Sequence, residues 1–186
     1  VAVATLIDIR GAVASGRVRR TDLVALLVTA LGTLALGPAP GLGVGVIVSI
    51  VLFLRHSTRP HIPELGQVPG ERVYRNVHRH DVVVRPEVVI ARVDAPLSFT
   101  SARPIAERLA GLVRHRPEAR FLVIDCTAIN TADYTGVDML GTLGEELAST
   151  GVEVHLAALR GPVSDILGRD EAYRALVEQG RVHRSV

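Results

Sequence analysis

The stretch FLVIDCTAINTADYTGVDMLGTLGEEL, residues 121–147, passes from strand to polar loop to helix without interruption. Phe121 to Ile124 is an apolar run of strand length, and Asp125, Cys126 and Thr127 close it with turn-favouring residues. From there Val137, Leu140, Leu143 and Leu147 recur at helical spacing, while Asp138, Glu145 and Glu146 fall on the other side. A loop carrying Asp133 and Thr135 therefore runs into a helix N-terminus. Unpaired backbone N–H groups and the helix dipole gather at such a point and favour an anion or a phosphorylated hydroxyl.

The flanks extend the same alternation. Val82 to Val84 and Val88 to Val93 read as two strands folded back on each other about Arg85-Pro86-Glu87. Ser101 is placed to cap a helix whose apolar positions Ile105, Leu109, Leu112 and Val113 recur at helical spacing before Pro117. Residues 152–156 form a further strand, Pro162 opens a short helix through Leu167, a helix over 171–178 stops at Gly180, and Val182-His183 is extended. Strands alternating with helices predict an α/β layer over residues 81–186, a small mixed sheet with helices packed on it.

Upstream the character changes. The 186 residues have a mean hydropathy of +0.32, above that of a soluble domain, and the excess precedes residue 55. Residues 23–36 and 42–54 are uncharged apolar runs separated by GPAPG. Each is shorter than the roughly 20 residues of a perpendicular spanning helix, so a buried soluble helix is the alternative reading. The runs sit back to back, neither has a polar face, and Pro38, Pro40 and the glycines reverse the chain between them. Two short transmembrane helices over 23–55 are therefore expected. Arg17, Arg19 and Arg20 precede the pair, Arg55 and Arg59 follow it and the turn is uncharged, which puts both ends in the cytoplasm. Residues 1–22 then read as the end of an upstream membrane segment with a cytoplasmic loop, and 56–80, rich in Pro and Gly, as a connector. The opening VAVATLIDIR, without an initiating methionine, reads as part of a longer chain.

Little else carries chemistry. All 21 basic residues are arginine, dispersed and balanced by 19 acids, so nucleic acid is not an expected partner. The single cysteine, Cys126, makes no internal disulfide, fits a reducing compartment and reads as a small buried filler. Asp125, Asp133 and Asp138 could form a magnesium or phosphotransfer site, but that chemistry wants a lysine and the chain has none. His56, His61, His78 and His80 match no compact metal-ligand spacing. With no nucleophile–base pair, phosphate loop or dinucleotide turn, the expectation is no enzyme, no catalytic residue, no metal and no cofactor.

Three segments carry a family resemblance: SIVLFLRHSTRPHIPELGQVPGERVYRNVHRH (49–80), VVIARVDAPLSFTSA (88–102) and AINTADYTGVDML (128–140). Together they resemble the C-terminal end of SulP-type inorganic anion (sulfate) permeases, whose last membrane spans lead into a cytoplasmic STAS domain, the fold of anti-anti-sigma factors. The third segment matches the STAS pattern of acid, one residue, hydroxyl residue and glycine at Asp133, Tyr134, Thr135 and Gly136. Tyr134 stands where serine is usual, the acceptor position is threonine, and the chain stops at Val186 where such domains continue into one more helix. The resemblance implies a homodimeric, multi-pass secondary active transporter of the inner (plasma) membrane, moving an anion such as sulfate or bicarbonate by alternating access; the all-arginine, Ala/Val/Gly-rich composition suggests a bacterial one. Its anion would bind between half-helices of earlier spans, so no substrate-binding residue is expected in this piece. Asp133, Thr135 and Gly136 would form a regulatory loop for a cytoplasmic protein, with Thr135 as phospho-acceptor or, more simply, as helix N-cap. The other functional reading is a membrane-tethered STAS phospho-switch that transports nothing.

Overall fold

A computed structural model describes residues 20–58 and 60–186, and the chain divides after Ser57 into two compact units. The expectations for residues 1–19, including the upstream segment and Arg17 and Arg19, lie outside the described residues, as does Arg59.

The first unit holds two helices, α1 (Arg20–Leu36) and α2 (Pro38–Ser57). GPAPG is tighter than a five-residue turn. Only Gly37 lies outside a helix, at φ 90°, while Pro38, Ala39, Pro40 and Gly41 already form the first turn of α2. Proline suits that turn because its first N–H groups have no intrahelical partner. Close approach explains the glycines. A Cβ on Gly41 would meet the backbone of Thr33, and one on Gly45 would meet the side chain of Thr29. Thr29 and Thr33 in turn donate their hydroxyls to the carbonyls of Ala25 and Thr29, at 2.8 Å each. The seam is thus a small-residue pair on one helix against two threonines on the other, whose hydroxyls are satisfied within their own helix. Away from it the helices expose apolar side chains, Leu34 at 84% and Phe53 at 68%. By length and composition Pro38–Arg55 can cross a membrane, whereas the apolar part of α1, Leu23–Leu36, is shorter.

The second unit, Thr58–Val186, is built on one six-stranded sheet. Its elements are β1 (Glu64–Gln67), β2 (Tyr74–Asn76), β3 (Val88–Arg92), α3 (Ala102–Arg114), β4 (Phe121–Asp125), α4 (Tyr134–Ser149), β5 (Glu153–Ala157), α5 (Gly161–Leu167), α6 (Glu171–Glu178) and β6 (Val182–His183). Strand order is β2-β1-β3-β4-β5-β6. β1 runs antiparallel to both neighbours and β3 through β6 are parallel. Successive right-handed crossovers between adjacent parallel strands carry their helices to one face. Burial agrees: Val89, Ala91, Leu122, Ile124, Val154 and Leu156 are at most 3% exposed and form a core with Ile105, Leu109, Leu143 and Leu167. The alternate residues Val88, Ile90, Phe121, Val123 and His155 are only half-buried on the other face.

Three expectations change. Residues 56–80 are more than a connector, since they supply β1 and β2, with Leu65 buried opposite Ile90. Val82 to Val84 does not fold back on β3, because β1 already occupies that edge; instead Val83 exchanges two backbone hydrogen bonds with Gln67, of 2.9 and 2.8 Å. Ser101 flanks α3 but makes no side-chain cap, and its hydroxyl donates to the Pro96 carbonyl at 2.6 Å.

β1 is further tied down by Glu64, whose carboxylate meets the Arg116 guanidinium at 2.6 Å, both side chains largely covered. Arg116 also donates to the Arg85 carbonyl at 3.1 Å, so one side chain joins β1 and the turn before β3 to the end of α3. Arg116→Ala leaves Glu64 half-buried without a partner. Its expected cost is about 2 kcal/mol, read by urea denaturation, with selective loss of amide protection in β1.

Candidate functional site

The loop between β4 and α4 begins with a closed turn. The buried Asp125 carboxylate accepts from the Thr127 N–H at 3.0 Å and its hydroxyl at 2.7 Å, and the Cys126 N–H donates to the Ala157 carbonyl at 2.8 Å. Burial, and then the Asp125 charge, push the Cys126 thiol up to about 12, so it stays protonated and unreactive.

Further on, the loop lies against residues 96–101. Leu97 donates to the Thr131 carbonyl at 3.0 Å and accepts from the Asp133 N–H at 2.8 Å. Asp133 is the N-cap of α4, at φ −115° and ψ 176°. One of its carboxylate oxygens accepts from the Gly136 N–H at 3.0 Å and the other from the Phe99 N–H at 2.9 Å. A single side chain therefore starts the helix and fastens the neighbouring loop to it. Gly136 is buried because the helix passes so close to Leu97 that a Cβ would overlap the Leu97 carbonyl.

The three expected loop residues thus come together with distinct tasks. Asp133 clamps and Gly136 permits the approach. Thr135, at the second position of α4, is exposed. The reading of Thr135 as N-cap does not hold, because Asp133 takes that place. Tyr134, next to it in the chain, is 81% exposed, and Phe99, whose backbone N–H Asp133 holds, is 74% exposed. Sequence reasoning missed Phe99, whose link to the loop runs through its backbone N–H and leaves no trace in residue type. Asp133→Ala removes both accepted hydrogen bonds, one of them the cap, and is expected to cost about 2 kcal/mol in thermal denaturation, with Asp133→Asn costing less because it keeps one acceptor oxygen.

Among the described residues, the others considered as ligands do not converge on one point. Asp138 is exposed on α4, and His78 and His80 are exposed. His61 bonds the Asp94 carboxylate through Nδ1 at 2.9 Å, and Arg92 holds the same carboxylate by two contacts of 2.6 and 3.1 Å. Burial pulls the Asp94 carboxyl up, but Arg92 and His61 outweigh it and hold it below the usual range. The side chain of His56 lies outside the described residues. Among those residues, no three His, Cys, Asp or Glu groups are arranged to hold a metal ion.

Comparison with known proteins completes the picture. Residues 79–174 match the model of the STAS domain. The chain is 28% identical to probable sulfate transporter 4.2 of Arabidopsis thaliana, covering 91% of this chain and 28% of that protein. It is 30% identical to sulfate transporter 1.1 of the same plant, over 87% of this chain and 26% of that one, and 32% identical to its sulfate transporter 2.1, over 80% and 24%. The chain thus spans about a quarter of the length of the curated relatives it matches. Among solved structures, murine Slc26a9, an anion transporter in the inward-facing state, superimposes with a TM-score of 0.77 at 20% identity, covering 91% of this chain and 28% of that chain.

Proposed function

Because the chain belongs to the STAS domain family and corresponds to the C-terminal region of SulP-type permeases, we propose that it is part of a secondary active transporter moving inorganic, sulfate-like anions across the plasma membrane. The observation that carries this reading is a hairpin of two apolar helices, exposed in side chains suited to lipid, running directly into a STAS sheet, with sulfate transporters matching across both. Residues 23–55 are then the last two spans. Residues 81–186, with β1 and β2, are the cytoplasmic domain, and the anion site belongs to spans upstream. The protein works as a homodimer, and anions are exchanged by movement of one membrane domain against another.

The loop at Asp133, Thr135 and Gly136 is the regulatory contact of that domain. Thr135 is open to a kinase, and a phosphate there would add roughly −1.5 to −2 charge beside Asp133 at the start of α4. The second reading, a tethered phospho-switch without transport, draws on the same exposed, uncapped Thr135.

Uptake of sulfate, bicarbonate, chloride and dicarboxylates by the full-length protein in proteoliposomes separates the two. Saturable uptake of sulfate or a related anion is expected. No uptake of any anion, together with a phosphothreonine at 135 in mass spectra, leaves the switch as the function.

A further inference from the structure

On the sheet face opposite the helices, β5 and the edge strand β6 each present a histidine. His155 Nδ1 and His183 Nε2 are 2.9 Å apart, with the rings stacked at a centroid distance of 5.2 Å and an interplanar angle of 18°. Two imidazole nitrogens at this distance need one N–H and one lone pair between them. The pair therefore forms with no charge or one, and a second proton puts two N–H groups face to face.

The surroundings make the second proton unwelcome. The Phe121 ring on β4 makes a T-shaped contact with the His155 ring at a centroid distance of 5.8 Å. The side chain of His155 is 18% exposed, and its Nε2 is buried without a hydrogen bond, 3.7 Å from Glu153 on the same strand. Glu153 is itself 3.6 Å from Arg181, just before β6. One carboxylate is thus shared between a permanent cation and the histidine pair. Backbone support for β6 is short: the Leu156 N–H donates to the Arg181 carbonyl at 2.9 Å and the Ala158 N–H to the His183 carbonyl at 3.0 Å. For a two-residue strand, one side-chain bond between neighbours is a large share of what holds it.

We propose that His155 and His183 are a one-proton latch that fastens the edge strand β6 to β5 and releases it when both rings become protonated. The direction follows from the environment. Burial, with smaller contributions from His183 and Arg181, pushes the His155 imidazole below its ordinary value of 6.5, and Glu153 offsets this only in part. A histidine that resists protonation in the docked strand contributes its full docking strength above the ordinary histidine range. That strength is lost as pH falls through the lowered value.

The test is amide hydrogen exchange of the whole chain in detergent at pH 7.5, 6.5 and 5.5, with rates corrected for intrinsic chemistry. Protection of Leu156 and Ala158 is expected to fall by about tenfold across this range, while Leu122 and Ile124 at the sheet centre hold theirs. In His183→Gln, whose amide can donate to the neutral His155 ring or, turned over, accept from the protonated one, the fall is expected to be much smaller, with only the part due to burial of His155 remaining. Constant protection in the wild type, or a fall in His183→Gln as large as the wild type's, overturns the latch. Imidazole nitrogen shifts of the wild type decide independently of any variant: a joint two-step titration supports it, and two histidines titrating separately at ordinary values sink it.

Discussion

Gly136→Val is expected to destabilise the Thr58–Val186 unit by about 3 kcal/mol, the upper part of the range for over-packing against atoms that cannot yield. The obstacle is backbone. Leu97 cannot retreat, since its N–H is held by Thr131 and its carbonyl by the Asp133 N–H, the carbonyl that the new side chain would strike. The helix start must lift, and with it goes the Asp133 clamp on Phe99. Thermal denaturation followed by circular dichroism should show a fall on the order of 10 °C. Thr135→Val, one residue away and exposed, is expected to stay within about 0.5 kcal/mol of the wild type. Equal stability of the two variants would contradict the approach of α4 to Leu97.

Gly41→Leu should part the two helices of the first unit. The added Cβ meets the Thr33 backbone, so no single partner substitution restores the fit. About 3 kcal/mol of over-packing corresponds to a hundredfold shift from closed to open hairpin. Gly45→Ala behaves differently, because its obstacle is the Thr29 side chain: Thr29→Ala in the same molecule should recover most of the loss, a coupling that a double-mutant cycle measures. A cysteine pair reports closure. A Cβ built on Gly32 lies 3.9 Å from that of Val44, inside the span of a disulfide, so Gly32→Cys with Val44→Cys and Cys126→Ala should cross-link readily on oxidation. Adding Gly41→Leu is expected to abolish most of that cross-link. An unchanged yield would mean that the helices do not meet along this seam.

The sequence was most legible where periodicity is local. The apolar spacing in α3 and α4 and the short strands before and after α4 each report one element facing one core, and each was found where it was expected. Reading failed where pairing is set by a distant partner. ELGQ and YRN, the strands β1 and β2, have no alternation to speak of and exist because β3 offers an edge to Leu65 and because Arg116 holds Glu64. At the loop, both Asp133 and Thr135 are competent caps by residue type. Asp133 prevails because its second oxygen reaches the Phe99 N–H, 34 residues earlier in the chain, which Thr135 could not match with a single hydroxyl. His155 and His183 meet for the same non-local reason: each is an outward-facing residue of its own strand until the sheet assembles.

The antiparallel strand β1 also decides where this protein can be cut. A recombinant piece starting at Asp81 retains the residues of the STAS pattern but strips β3 of its neighbour along Ile90 and Ala91, leaving an unpaired row of amide and carbonyl groups beside an apolar strand. Such a border is a template for self-association, so that piece should precipitate or form aggregates, whereas one starting at Thr58 should remain monodisperse in size-exclusion chromatography.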